Sequence, residues 1–208
     1  MKKTNSIALL MLLSMVVSAQ VRTTNLTVYP EFKPSLILLN DGRTLRQQFT
    51  NVFLKNASLL YMSGSVVKEA NMANIVSVKF DDRQYVKIDT LLATQVDSVG
   101  SDALFSATII DQEAYRQNLK NNQVLTDISF GEQIGTTSID LSNDDDYHFP
   151  LINIYYYRLG GKFIRCHERT LGHNLSKDKK RIMRTFCTMS DFSWSDEKSL
   201  LKLLKGLQ

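Results

Sequence analysis

The chain has 208 residues and a formal net charge of +4, and 43% of its residues are hydrophobic against 22% charged. This composition excludes an intrinsically disordered chain, because enough apolar side chains are present to form a core. The length allows one domain or two small ones.

The N-terminus, residues 1–19, has the pattern of an export signal. Lys2 and Lys3 precede an apolar run over 7–17, and Val-Ser-Ala at 17–19 provides the small residues that signal peptidase requires. The run is about half of the roughly 20 residues that span a bilayer, so we predict no transmembrane segment in the mature chain. No cysteine follows it, which argues against lipidation. We predict a periplasmic or extracellular protein that starts at Gln20, and this location disfavours a nucleic-acid partner.

The charge is divided unevenly along the mature chain. Residues 20–149 contain 11 Lys and Arg against 16 Asp and Glu, whereas residues 150–208 contain 12 against 5. A basic C-terminal part is typical of proteins that bind an anionic partner, such as a glycan or a lipid head group. Two plainer explanations are that the oppositely charged parts face each other, or that the charges cover solvated helix faces.

Residues 20–141 have the pattern of a β-rich N-terminal part, either an antiparallel meander or a small barrel. Asp41-Gly42 between two apolar runs predicts a hairpin, and further short apolar runs recur between polar or glycine-containing turns. Residues 90–99 suit either a helix or a continuing strand, and we favour a strand with a bulge or an irregular crossing. Asp111 is the predicted N-cap of a short helix over 111–122. The other predicted strands are 26–29, 35–40, 43–49, 52–55, 58–62, 66–69, 75–80, 85–89, 104–110, 124–130 and 137–141.

Residues 142–208 begin within an acidic run at 140–146 and are predicted to form a β-hairpin followed by two α-helices. Gly160-Gly161 separates strands over 151–159 and 162–167. Ser176 and Ser195 are the predicted N-caps of the helices, and Gly206 is predicted to end the second. Trp194 lies in the link between the helices, where we expect it to wedge them onto the sheet. The fold class is therefore α+β, and whether the two parts form one continuous domain stays open.

The densest group of reactive side chains surrounds Cys166. Cys166 and Cys187 are either bridged, which would close a loop of about 20 residues, or remain as two thiols. Cys166 and His167 are neighbours on a strand and should point to opposite faces, so an envelope hydrolase that uses either residue needs a partner such as His148. This hydrolase is the alternative function.

No cofactor or metal motif is present. The EF-hand pattern counted from Asp140 fails, because Asp145 and Leu151 stand where glycine and glutamate are needed. His167 and His173 are six residues apart, whereas a zinc-protease helix places its histidines four apart.

Two groups of residues form a candidate ligand surface. The first is Tyr155 and Tyr157, which could stack against sugar rings, although packing in the core also explains them. The second is a basic helix that carries Lys180, Arg181 and Arg184. The export signal, the divided charge and the absence of a catalytic motif favour a binding or structural interaction module of the cell envelope. Its expected partner is an anionic glycan, a lipid head group or an envelope protein.

Several segments resemble uncharacterised exported bacterial proteins of about this length. They are Ser-Ala-Gln at 18–20, Asn-Asp-Gly at 40–42, Val-Phe-Leu-Lys-Asn at 52–56, Ala-Asn-Met-Ala-Asn-Ile-Val-Ser-Val-Lys-Phe at 70–80 and Phe-Ser-Trp-Ser-Asp-Glu-Lys-Ser-Leu at 192–200. Residues 35–88 are also similar to small SH3-like barrels. The resemblance implies a β-barrel-like N-terminal part and supplies no catalytic residues.

Overall fold

The structure is a computed structural model that describes residues 22–23, 25–121 and 148–208. The predicted strands over 124–130 and 137–141, the acidic run and the boundary at 142 lie outside these residues. The described strands are β1 (Arg22–Thr23), β2 (Lys33–Leu39), β3 (Thr44–Phe53), β4 (Ser58–Ser63), β5 (Val66–Glu69), β6 (Ile75–Lys79), β7 (Gln84–Ile88), β8 (Leu91–Val99), β9 (Asp102–Ile110), β10 (Phe149–Leu159) and β11 (Lys162–Arg165). The helices are α1 (Gln112–Asn121), α2 (Glu168–Asn174), α3 (Lys177–Cys187) and α4 (Glu197–Gly206), with a 3₁₀ turn at Met72–Asn74.

The strands form one antiparallel sheet in the order β1-β10-β9-β8-β7-β6-β2-β3-β4-β5, and β11 also pairs with β10. The predicted β-rich, α+β character is confirmed. The order is a linear path whose ends, β1 and β5, are not paired with each other in the described residues, so the predicted barrel is not confirmed. β10 pairs with β9 over Leu151–Arg158, which makes the C-terminal hairpin an extension of the same sheet.

Glycine turns define both predicted hairpins. Gly42 has φ +83° between β2 and β3, and Gly160 and Gly161 have φ +54° and +81° between β10 and β11. These left-handed conformations favour glycine, which has no Cβ to clash with the backbone. The bulge predicted in residues 90–99 is also confirmed, because the register of β8 against β9 shifts between Gln95 and Asp97.

One predicted break between strands is wrong. Residues 43–49 and 52–55 belong mostly to a single strand, β3, in which polar Thr50 and Asn51 are buried. Their side chains are satisfied inside the fold: Thr50 Oγ1 donates to Ser35 Oγ at 2.8 Å, and Asn51 Nδ2 donates to the Tyr29 carbonyl oxygen at 2.9 Å. A buried polar residue with hydrogen-bond partners does not interrupt a strand.

Residues 25–32, which we call the lead-in segment, are less regular than predicted. In place of a strand over 26–29, the structure has an isolated bridge between Thr27 and Phe53. Two backbone hydrogen bonds flank this bridge, from Val28 N to Val52 O at 2.9 Å and from Leu54 N to Leu26 O at 2.8 Å. They hold the lead-in against the end of β3.

Three helices follow the C-terminal hairpin, where two were predicted. The additional helix is α2, whose seven residues contain one buried apolar side chain, Leu171, and therefore show no apolar stripe in the sequence. The predicted cap of α3 is confirmed, since Ser176 Oγ accepts from Lys179 N. The predicted cap of α4 is wrong by one residue: the carboxylate of Asp196 accepts from Ser199 N.

The last three helices pack on the sheet through one apolar cluster, which we call the helix cluster. Its buried members are Leu104, Tyr155, Tyr157, Ile164, Cys166, Leu171, Leu175, Met183, Leu200, Leu203, Leu204 and Leu207. The Tyr157 hydroxyl donates to the Leu200 carbonyl oxygen at 2.6 Å and joins β10 to α4. Phe192 and Trp194 pack against the cluster, as the sequence predicts for a wedge between helices. None of the described helices is both long and apolar enough to cross a membrane.

Close contact between α3 and α4 makes Gly206 sensitive to substitution. A Cβ at this position would lie 2.8 Å from the Phe186 ring, so the ring would have to move. We expect Gly206→Ala to lower the free energy of unfolding by about 1–3 kcal/mol, measured by urea denaturation. The matched control is Gly172→Ala, whose Cβ would meet only the flexible end of Met183 at 3.3 Å. Equal stability of the two variants would contradict the close approach.

Candidate functional site

A groove lies where α2, α3 and the link before α4 meet. It has a volume of about 410 Å³ and is lined by His167, Glu168, Arg169, Gly172, Lys180, Met183, Arg184 and Trp194. We call it the basic groove. An adjoining depression of about 510 Å³ shares Arg169, Gly172 and Lys180 and adds Thr170, His173 and Asn174.

The floor of the basic groove is apolar and belongs to the helix cluster. Met183 is buried, and the half-buried Trp194 packs edge-to-face on Phe192 with ring centroids 5.1 Å apart. Gly172 contributes no side chain, and the terminal methyl group of Met183 lies close beneath it. The floor is therefore fixed by packing, and Trp194 within it is partly exposed.

The rim of the basic groove is positively charged. Arg169, Lys180 and Arg184 face one carboxylate in the lining, that of Glu168. The ion pairs within the described ranges lie elsewhere: Lys33 with Asp82, Arg43 with Asp41, and Lys202 with Asp191. No described carboxylate therefore forms an ion pair with the three rim cations, and their fields add over the groove.

The structure brings together two of the three predicted basic residues. Lys180 and Arg184 are four residues apart on α3, so they lie on one face of the helix and both line the groove. Arg181 is exposed but is not among the residues that line it. The sequence correctly predicts the helix and the charge, but not that Arg181, three residues before Arg184, lies outside the lining.

The prediction that Tyr155 and Tyr157 form a ligand surface is wrong, because both side chains are buried. Tyr155 is 5% exposed and Tyr157 is fully buried, both in the helix cluster, while Tyr156 is buried on the opposite face of β10. Burial raises the pKa of Tyr155 and of Tyr157. These rings serve packing, which is the other interpretation that the sequence allowed, and they are not accessible to a sugar.

Cys166 and Cys187 are free thiols in this structure, which is one of the two alternatives that the sequence left open. Cys166 is buried in the helix cluster, and Cys187 is half-buried against the same cluster. Burial raises the pKa of both thiols, and the charge of Glu168 adds to the effect at Cys187. Both are therefore protonated at neutral pH, whereas nucleophilic attack needs the thiolate.

The strand predicted over 162–167 ends at Arg165, so Cys166 and His167 lie in the link to α2 and the predicted alternation of strand neighbours does not apply to them. Cys166 enters the helix cluster, while His167 lines the basic groove. His148, the partner named for a hydrolase, is exposed at the start of β10. Within the described ranges, no three His, Cys, Asp or Glu side chains form a group that could hold a metal ion.

The sequence does not indicate two parts of the groove. Arg169 and Gly172 lie on α2, which has no apolar periodicity in the sequence. For Trp194, the sequence predicts only a packing role. Comparisons of the chain with known protein families, characterised proteins and solved structures find no match.

The two thiols should differ in reactivity. We expect both to titrate in the denatured protein without reductant. In the native protein, Cys187 should be alkylated faster than Cys166, by on the order of tenfold, because it is less buried. Both rates should rise with pH above neutrality, since a raised pKa means that the thiolate forms only at higher pH.

Iodoacetamide labelling followed by mass spectrometry of peptides measures these rates, and Cys187→Ser should remove only the fast phase. Absence of titratable thiols in the denatured protein would contradict the structure and support a bridge.

Proposed function

We propose that this chain is an exported cell-envelope protein that binds an anionic ligand in the basic groove. The N-terminal export pattern and the basic C-terminal part support this proposal. The observation that carries it is the arrangement of Arg169, Lys180 and Arg184, without described ion pairs, above a floor that includes Trp194.

An anionic glycan fits this chemistry better than a lipid head group or a protein. Arginine forms bidentate hydrogen bonds with carboxylate or phosphate, and lysine attracts either group as a point charge. Trp194 is partly exposed in the groove and offers apolar surface to a sugar. The groove and the adjoining depression share residues, so a ligand that extends from one to the other contacts both.

The plainer explanation of the charge, in which the acidic and basic parts of the chain face each other, involves the acidic run outside the described residues. It makes a different prediction from ligand binding, because added glycan would then produce no saturable signal at the groove.

Trp194 is the only tryptophan in the chain and lines the groove, so its fluorescence reports binding directly. We expect oligogalacturonate to change this fluorescence in a saturable way, and the affinity to fall as salt screens the charges. Lys180→Gln and Arg184→Gln should each weaken binding by roughly threefold to tenfold.

The matched control is Arg181→Gln, which removes the same charge from the same helix outside the groove lining. An equal loss in all three variants would indicate attraction to the overall charge rather than binding in the groove. No saturable change with oligogalacturonate, or an equal response to a neutral maltooligosaccharide, would contradict the proposal. A response only to vesicles that contain anionic lipid would indicate the lipid head group instead.

A second variant closes the groove without changing its charge. Gly172 lines both the groove and the adjoining depression, so the side chain of Gly172→Leu should fill space that the ligand needs. We expect at least tenfold weaker binding of oligogalacturonate, with Gly172→Ala much closer to the wild type. Circular dichroism and the urea midpoint verify that the variant is folded. Unchanged affinity in folded Gly172→Leu would place the ligand elsewhere.

A further inference from the structure

A second cavity lies on the sheet, away from the basic groove. Its volume is about 160 Å³, and it is enclosed between the lead-in segment, the end of β3, and strands β7 to β10. Its polar lining includes Thr27, Arg83, Tyr85, Thr94, Ser106 and Thr108, and valine and leucine side chains form much of the remaining wall. We call this cavity the hydroxyl cleft.

The strand register places the hydroxyl groups in one row. Tyr85 is paired with Thr94, and Thr94 with Ser106, so these side chains lie on the same face of the sheet. Thr108 is two residues beyond Ser106 and shares that face. On the same face of β9, the apolar residues Leu104 and Ile110 flank this pair and are buried. A polar row in the middle of a core-facing strand is therefore a local departure from core packing.

The cleft offers hydrogen-bond donors at one end. The exposed Arg83 side chain lies near the buried hydroxyl of Tyr85, and the two groups interact electrostatically. Among the described residues, no group lies in hydrogen-bonding geometry with the Tyr85 hydroxyl. Burial raises the pKa of Tyr85, so at neutral pH the group carries a proton that it can donate.

The threonines offer mainly acceptors. Thr27 Oγ1 already donates to the Tyr29 carbonyl oxygen at 2.8 Å, and Thr108 Oγ1 donates to Asn153 Oδ1 at 2.7 Å. Their remaining lone pairs suit a ligand that bears hydroxyl groups. The lining itself contains no acidic side chain, and the carboxylate of Asp82 interacts with Arg83 and Tyr85 from outside it.

We propose that the hydroxyl cleft binds a small hydroxy acid, with its carboxylate at Arg83 and Tyr85 and its hydroxyl groups at the threonine and serine oxygens. The size supports this class, because a cavity of about 150 Å³ holds a ligand of about six heavy atoms. Lactate and glycerate have this size. The apolar walls suit the carbon skeleton of such an acid.

Titration of the full mature chain with lactate, followed by ¹H–¹⁵N NMR, tests the proposal. We expect saturable shifts of backbone amides in β7, β8 and β9, and much weaker shifts with 1,2-propanediol, which has an alcohol in place of the carboxylate. Trp194 fluorescence should not change, because this residue lines the other site. The result is therefore independent of the function proposed for the basic groove.

Substitutions test whether the carboxylate of the ligand binds at Arg83. Arg83→Gln should weaken lactate binding by about tenfold, whereas Arg46→Gln, an exposed arginine on β3, should leave it unchanged. Ser106→Ala, a small change at a half-buried position, should weaken binding without unfolding the protein. Glucuronate, which carries the same groups on a larger skeleton, distinguishes a free small acid from the end of a larger molecule.

Three outcomes would overturn the proposal. The first is the absence of saturable shifts with both lactate and glycerate. The second is equal binding of lactate and 1,2-propanediol, which would show a hydrated cleft without selectivity for carboxylate. The third is an equal effect of Arg83→Gln and Arg46→Gln, or preferential binding of glucuronate over lactate, because glucuronate is too large for a cavity of about 160 Å³.

Discussion

The hydrogen bond from the Tyr157 hydroxyl to the Leu200 carbonyl oxygen is the contact on which the C-terminal arrangement depends. Both groups are fully buried, so the bond satisfies a phenol hydroxyl that water does not reach, at a carbonyl in the interior of the helix. It fixes α4 over β10, and the contacts of α4 with α3, such as that of Gly206 with Phe186, then determine where α3 lies. The basic groove is the space left between α3 and α2 by this packing.

The features that could be predicted from the sequence are those with a local cause. Gly42 and Gly160 mark turns because their backbone conformations favour glycine, and Ser176 marks a helix start because its hydroxyl accepts a hydrogen bond from the first turn. Features with a distant cause are different. α2 has no stripe of its own and is held by burial of Leu171, and the continuity of β3 through Thr50 and Asn51 depends on partners 15 and 22 residues away.

The same division explains what the sequence shows of the basic groove. Lys180 and Arg184 could be predicted, because a basic helix is a local pattern and four residues return the chain to the same face. Arg169 and Gly172 could not, since their position depends on how α2 packs. Tyr155 and Tyr157 could be assigned to neither a surface nor the core from the sequence alone. Aromatic residues on a strand suit both, and the helices that cover these two rings place them in the core.

The hydroxyl cleft shows how a site can lie within residues that look like scaffold alone. Strand β9 alternates Leu104, Ser106, Thr108 and Ile110 on one face with Ala103, Phe105, Ala107 and Ile109 on the other. Because apolar residues are buried on both faces, the alternation does not indicate that Ser106 and Thr108 line a cavity. In the folded sheet, their face is covered by the lead-in segment and the end of β3. The polar row becomes significant only because tertiary packing has enclosed it.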